Sequence, residues 1–301
     1  MRCIIILNEK AGTAAKASPE AVRTACAEVG LTAEVSALPA GRIERALRDA
    51  VAARPDAVVI GGGDGTVRCA AAALADTGLA LGVLPLGTLN HFAKDLRIPA
   101  DLKAAVAVLA GGAIRDVDVG EVNGQVFVNN CSLGAYAEAV RRRDALRAER
   151  PQGKWVAMWR ASFATWRHLR RLRLRISVAG RAPQFVRTPI VFIGNNRYAG
   201  HLLGSSLRPR LDEGRLWIYT VRAHRHFALV RLLLGALVGR VDRTEGLATE
   251  SAEEFTIESE RGPVPVATDG EVLELPGALR FRIRPGALRV LAPPEGGGAK
   301  P

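Results

Sequence analysis

Val58-Val59-Ile60-Gly61-Gly62-Gly63-Asp64-Gly65-Thr66 is the stretch on which the fold turns. The apolar run Ala57–Ile60 has the length and branching of a buried strand, and it leads directly into three glycines. A small-residue helical pattern, Thr66 to Ala75, follows. Glycines at such a junction let backbone N–H groups approach an anion, and the helix N-terminus favours negative charge. By itself the junction reads equally well as a tight strand-to-helix turn. Two familiar phosphate motifs fail here: no Walker lysine follows, and the dinucleotide fingerprint begun at Gly61 needs glycine where Thr66 stands. Asp64 tips the reading toward a ligand, because a carboxylate inside a phosphate loop has a use when Mg²⁺ lies between them.

Outward from this stretch, strands and helices alternate. Cys3–Leu7, Thr32–Ser36 and Leu79–Leu84 read as strands. Pro19–Val29, with Ser18 as N-cap, and Arg42–Ala53, with Ile43, Ala46, Leu47 and Ala50 on one face, read as helices. The alternation predicts a parallel sheet covered on both faces. A second loop, Leu84-Pro85-Leu86-Gly87-Thr88-Leu89-Asn90-His91-Phe92-Ala93, also follows a strand. Adjacent strand ends in a parallel sheet face one crevice. Thr88 offers a hydroxyl to a phosphate there, and Asn90 is placed to cap the next helix.

The pattern changes after about Asp116. Strand-like runs recur at Val117–Val119, Gln125–Asn130, Leu172–Val178, Phe185–Ile193, Leu216–Val221, Glu254–Ile257, Leu279–Ile283 and Leu288–Leu291. Turn signals such as Asn123-Gly124, Ala179-Gly180 and Asp269-Gly270 separate them. That pattern predicts a mainly antiparallel β-sandwich with helical insertions near 137–170 and 224–239. The expected organisation is an α/β domain over 1–115, a sandwich domain over 116–292 and a Pro/Gly-rich tail over 293–301.

Composition bounds the function. With 301 residues, 48% hydrophobic and 24% charged, the chain is not a disordered polymer. A formal charge of +12 points to a polyanionic partner. Cys3, Cys26, Cys69 and Cys131 have neither zinc nor disulfide-framework spacing, which predicts a reducing, cytoplasmic setting. No apolar run is long enough to span a bilayer, and MRCIIILNEK has too short an apolar core for a signal peptide. Segment 141–175 carries eleven arginines and Lys154 against Asp144 and Glu149. Trp155, Met158, Trp159, Phe163, Trp166 and Leu169 recur there at helical spacing. Aromatic residues opposed by arginine fit a helix lying on an anionic membrane surface; the alternative is a core-packing helix with a solvated basic face. Phe227, Val230, Leu233, Leu234, Leu237 and Val238 form a second apolar stripe that suits a lipid entrance or a buried helix.

Asn8-x-x-Ala11-Gly12, Gly62-Gly63-Asp64-Gly65-Thr66 and Pro85-x-Gly87-Thr88-x-Asn90-x-Phe92-Ala93 resemble the diacylglycerol kinase catalytic-domain family, which includes bacterial lipid kinases, sphingosine kinases and ceramide kinases. The resemblance continues through Asn129-Asn130-x-Ser132-Leu133-Gly134, Gly194-Asn195, Leu211-Asp212-Glu213-Gly214-x-Leu216 and Thr268-Asp269-Gly270-Glu271. It implies a phosphofructokinase- and NAD kinase-like N-terminal domain, a C-terminal β-sandwich, and ATP in the cleft between them. It implies that Asn8, Gly61, Gly62, Gly63, Asp64, Gly65, Thr66, Val67, Arg68, Gly87, Thr88 and Asn90 form the ATP site. It implies Glu271 as proton acceptor, a lipid substrate, and a structural Mg²⁺ near Arg210, Glu213 and Arg215, held partly through backbone carbonyls, with Asp212 as a further candidate ligand. Glu9, Arg68 and Glu213 depart from the family pattern, which often has Pro, Asn and Asp there.

Read from chemistry alone, Asp269-Gly270-Glu271 suits phosphoryl transfer, which needs charge neutralisation and a base near the acceptor hydroxyl. It equally suits an ordinary hairpin turn, and Asp269 rivals Glu271 as the base. The expected activity is an ATP-dependent lipid kinase, cytoplasmic and peripherally membrane-associated. The alternatives are a soluble NAD kinase-type enzyme and a basic nucleic-acid-binding protein, the latter lacking any recognised nucleic-acid module. Oligomeric state stays open, a homodimer included.

Overall fold

The computed structural model describes residues 1–11, 17–134, 171–199, 208–221 and 247–294. They belong to two compact units: Met1–Val119, Pro209–Glu213 and Arg284–Pro301 form one, and Gly120–Arg208 with Gly214–Ile283 the other.

The first unit opens with β1 (Arg2–Asn8), α1 (Pro19–Glu28), β2 (Thr32–Leu38), α2 (Ala40–Ala52), β3 (Ala57–Gly62), α3 (Asp64–Leu74), β4 (Ala80–Pro85), α4 (His91–Asp95) and α5 (Leu102–Gly111). The four strands run parallel in the order β2-β1-β3-β4. β3 and β4 are buried at every residue, as central strands covered on both faces must be. Ser18 caps α1, its Oγ accepting the Ala21 N–H at 3.2 Å, and Pro19 occupies the first turn. Asp101 caps α5 in the same way through the Ala104 N–H. The sequence pattern anticipated a helix after Asn90, which is α4, but did not pick out α5.

The rest of the chain supplies β5 (Ala113–Val122), β6 (Gln125–Phe127), β7 (Asn130–Gly134), β8 (Leu172–Val178), β9 (Gln184–Thr188), β10 (Ile190–Asn195), β11 (Leu216–Val221), β12 (Leu247–Ala252), β13 (Glu254–Ser259), β14 (Val266–Thr268), β15 (Glu271–Leu273) and β16 (Leu279–Ala292). Within the second unit one sheet runs β12-β11-β10-β7-β14-β15, every pair antiparallel. The other is built from the first residues of β16, then β13, β8 and β9, again antiparallel. Their inner faces share a single core: Cys131, Leu133, Val191 and Ile218 from one sheet meet Leu174, Ile176, Phe255 and Phe281 from the other. The Phe255 and Phe281 rings stack with centroids 4.8 Å apart. This is the expected sandwich.

Local chemistry explains where the strands depart from the sequence reading. The run 185–193 is two strands, because Pro189 between β9 and β10 lacks the N–H a ladder needs. β16 is one strand where two were expected, and its last residues belong to the first unit, with Arg289 and Val290 registered against Ala80 and Leu81 of β4. Only Glu253 separates β12 from β13, yet the two strands belong to different sheets.

Candidate functional site

The two N-terminal loops are locked together. A Cβ built on Gly87 would fall 2.3 Å from the Gly63 Cα, so the loops approach closer than any side chain allows. Asn8 Nδ2 donates to Thr66 Oγ1 at 2.9 Å, tying the end of β1 to the first turn of α3. Asp64 Oδ1 accepts the Phe92 N–H at 3.3 Å, so the carboxylate caps α4 from the neighbouring loop. Asn90 does not cap α4, as its spacing suggested. It adopts φ +51 and turns its amide back onto its own loop, accepting from the Gly87 N–H and donating to the Pro85 and Gly87 carbonyls. No side chain caps α3, whose first turn carries Asp64, Gly65 and Thr66. An eleven-residue helix opening without a side-chain cap, beside glycines, presents backbone donors suited to a phosphate. Thr88 is exposed at the loop tip, while Thr66 and Val67 are buried against the fold. Gly61, Gly62, Gly63, Gly65 and Arg68 lie along the same β3–α3 junction.

In the second unit, the segment Val128-Asn129-Asn130 is held from two sides. Asp269 accepts all three of its N–H groups, at 2.8, 2.8 and 3.0 Å. Arg208, only 3% exposed, donates to the Val128 and Asn195 carbonyls at 2.6 and 2.8 Å and to Asn129 Oδ1 at 3.0 Å. Asn195 Nδ2 also donates to the Val128 carbonyl, and the Tyr198 hydroxyl to the Asn129 carbonyl. Tyr198 fits because residue 194 is glycine: a Cβ there would lie 2.8 Å from its ring. The peptide dipoles of one short segment thus sit between a carboxylate and a buried guanidinium, and each charge is satisfied through them. Burial pushes the Asp269 carboxyl up to about 6, against the three amides and the Arg208 charge, which act to lower it.

Asp269 and Gly270 form the two-residue turn of the β14–β15 hairpin, with φ +47 and +84 and Thr268 registered against Glu271. Both readings of Asp-Gly are therefore true: it is a hairpin turn, and its carboxylate organises the neighbouring loop. Glu271 begins β15 and is exposed.

The side chains at 210–215 give a different picture. Arg210 takes both oxygens of Asp212, at 3.0 and 3.2 Å, and holds that carboxyl below its ordinary value. The Leu211 carbonyl accepts the Asp118 N–H at 2.7 Å. Arg215 donates to the Ser251 hydroxyl and carbonyl. Among the described residues no three His, Cys, Asp or Glu side chains gather as a metal group. Asp212 is thus engaged by Arg210, and a Mg²⁺ here would draw on backbone carbonyls as well as carboxylates.

Arg208 and Tyr198 are the site residues that sequence reasoning missed. The tryptophan- and arginine-rich residues 141–170 and the stripe 227–238 lie outside the described residues. No described helix is long and apolar enough to cross a membrane.

A parallel α/β unit with a glycine-lined strand-to-helix junction, and an antiparallel sandwich carrying an Asp-Gly hairpin, are the two parts that the family comparisons recognise. Residues 2–122 match the diacylglycerol kinase catalytic domain, and residues 129–292 match the YegS C-terminal NAD kinase beta sandwich-like domain. The chain belongs to this family. It is 34% identical over 261 residues to a Pseudomonas aeruginosa protein named "Probable lipid kinase YegS-like", covering 84% of this chain and 82% of that one. It is 42% identical over 103 residues to the diacylglycerol kinase of Bacillus subtilis, about a third of each chain (33% and 34%). A solved structure of a diacylglycerol kinase from Bacillus anthracis shares the fold, with a TM-score of 0.67 at 19% identity over 97% of each chain.

Proposed function

We propose that the protein is an ATP-dependent lipid kinase that phosphorylates a hydroxyl of a diacylglycerol- or sphingoid-type lipid. The observation that carries this reading is the contact of the two N-terminal loops, Gly87 on Gly63, beside the uncapped start of α3. That arrangement supports triphosphate binding, and the family relationship supports a lipid as acceptor.

The roles divide as follows. Backbone N–H groups at the start of α3 take phosphate oxygens, with the Thr88 hydroxyl beside them. Asp64 is the one carboxylate in the two loops and would hold Mg²⁺, whose charge neutralises the phosphates. The lipid hydroxyl oxygen bonds to the γ-phosphorus, the bond to the bridging oxygen breaks, and ADP leaves. Glu271 accepts the hydroxyl proton. Asp269 does not take that part, because its two oxygens already accept three amide protons. The protein works at the cytoplasmic membrane surface, with the arginine- and tryptophan-rich segment 141–175 supporting peripheral attachment to anionic lipid.

The soluble NAD kinase reading is separated by one assay. Labelled ATP is supplied with lipid extract or with NAD, and products are resolved by thin-layer chromatography. Label in a lipid product supports the proposal; label in NAD alone overturns it.

A further inference from the structure

Thr268 is the last residue of β14 before the Asp269-Gly270 turn, and its side chain is fully buried. Its hydroxyl oxygen has no hydrogen-bond partner among the described residues. A buried hydroxyl has given up its bonds to water, so one without a partner calls for a reason.

Register shows what this hydroxyl can reach. β14 lies between β7 and β15, and Thr268 stands directly opposite Cys131 on one side and Glu271 on the other. Directly opposed residues of an antiparallel pair project to the same face, with Cβ atoms about 4.5–5.5 Å apart. Cys131 belongs to the sandwich core and offers only a weak sulfur acceptor. Nearby polar groups are engaged elsewhere: Asn129 Oδ1 by Arg208, and both Asp269 oxygens by the amides of 128–130. Glu271 is therefore the one directly opposed side chain with a strong acceptor. It is exposed, and its side-chain torsions alone bring the carboxylate onto the hydroxyl, a motion of the ps–ns range. The backbone beneath the pair is fixed, because the Asp269 N–H also donates to the Asn130 carbonyl at 2.9 Å.

We infer that Thr268 is a positioning residue for Glu271: its hydroxyl donates to one carboxylate oxygen and leaves the other to face the acceptor hydroxyl. This rests on the reading of Glu271 as the base. Thr268 keeps its own proton throughout. The substrate proton passes to the second carboxylate oxygen as the new O–P bond forms, the bond to the bridging oxygen breaks and ADP leaves. Without the hydroxyl, the Glu271 carboxylate spreads over several rotamers and is seldom placed for the transfer.

Two measurements on the full chain test this, and the first needs no substrate. Thr268→Val keeps the shape of the side chain and removes the hydroxyl. In otherwise wild-type protein it removes a bond together with a buried polar group, so the urea midpoint should change little. In Glu271→Ala protein the hydroxyl has lost its acceptor, and Thr268→Val should raise the midpoint. Its effect on the unfolding equilibrium constant should therefore differ between the two backgrounds by about two- to tenfold. In the lipid phosphorylation assay, Thr268→Val should lower kcat about ten- to a hundredfold with KM for ATP and for lipid unchanged, and Thr268→Ser should restore most of it. Equal effects of Thr268→Val in the two backgrounds overturn the inference, and so does wild-type kcat in Thr268→Val. Should Thr268→Val not fold, Thr268→Ser and Thr268→Ala replace the comparison, since they differ only in the hydroxyl. A wild-type protein that phosphorylates no lipid would sink the kinase reading instead, while the coupling in the unfolding data still decides whether Thr268 holds Glu271.

Discussion

Arg208→Met removes the buried cation while nearly keeping its volume. Three donated bonds disappear. The Val128 carbonyl keeps a partner in Asn195 Nδ2 at 3.0 Å, so two acceptors, the Asn195 carbonyl and Asn129 Oδ1, lose their guanidinium bonds. Each buried acceptor stripped of its partner costs about 1–3 kcal/mol. Asp269 also loses a nearby charge that favours its ionised form. Breaking a buried charge network by removing one member typically costs about 3–5 kcal/mol, and that is the expected loss here. Arg208→Lys keeps the charge but has no planar fork to reach three acceptors, so it should recover only part of the loss. Urea unfolding followed by circular dichroism, with the slope checked for constancy, measures both variants. A loss below about 1 kcal/mol in Arg208→Met would show that the segment 128–130 holds its shape without the guanidinium, and the clamp reasoning would fail.

Other expectations follow from the same geometry. Gly87→Ala places a methyl 2.3 Å from the Gly63 Cα, so the loops must part; the expected cost is about 1–3 kcal/mol with weakened ATP binding by calorimetry, and wild-type affinity would contradict the loop contact. Asp64→Asn should sharply lower MgATP-dependent turnover in a folded protein, and near wild-type turnover at saturating Mg²⁺ would refute its role. Asp269 is raised from 3.8 to about 6, so the folded state holds this proton more tightly than the unfolded state. Its contribution to stability is therefore highest below about pH 4, falls as pH rises toward about 6, and is flat above. The stability difference between wild type and Asp269→Asn should shrink or reverse across that window, measured by urea midpoints at each pH; a pH-independent difference would contradict the shift.

The N-terminal half was legible because its signals are local. An apolar run ending in glycines, a Ser-Pro helix start and a Pro/Gly loop each carry their meaning within a few residues, and β3, α1 and β4 follow them. Asn90 was misread because spacing does not reveal a left-handed backbone, which points its amide back into the loop and leaves the capping to Asp64. The hairpin around Asp269 was visible only as a turn, since strands of three residues have too few positions for a period to show. Arg208 was invisible for a different reason. In a chain rich in arginine, nothing near position 208 separates a buried guanidinium from a solvated one; its partners lie 13 to 80 residues away. Asn129, Asn130 and Asn195 were noticed, yet only the fold shows that they meet.

The most direct test of the kinase assignment uses no assumption about the substrate. The protein is incubated with MgATP and a total lipid extract, and new phosphorylated species are identified by mass spectrometry. Wild type and Glu271→Gln are run in parallel, with ATP affinity measured on the same preparations. The account predicts a phosphorylated lipid whose rate of formation falls about 10²–10⁴-fold in Glu271→Gln while ATP affinity is unchanged. No phosphorylated lipid with wild type, or an undiminished rate in Glu271→Gln, would contradict it.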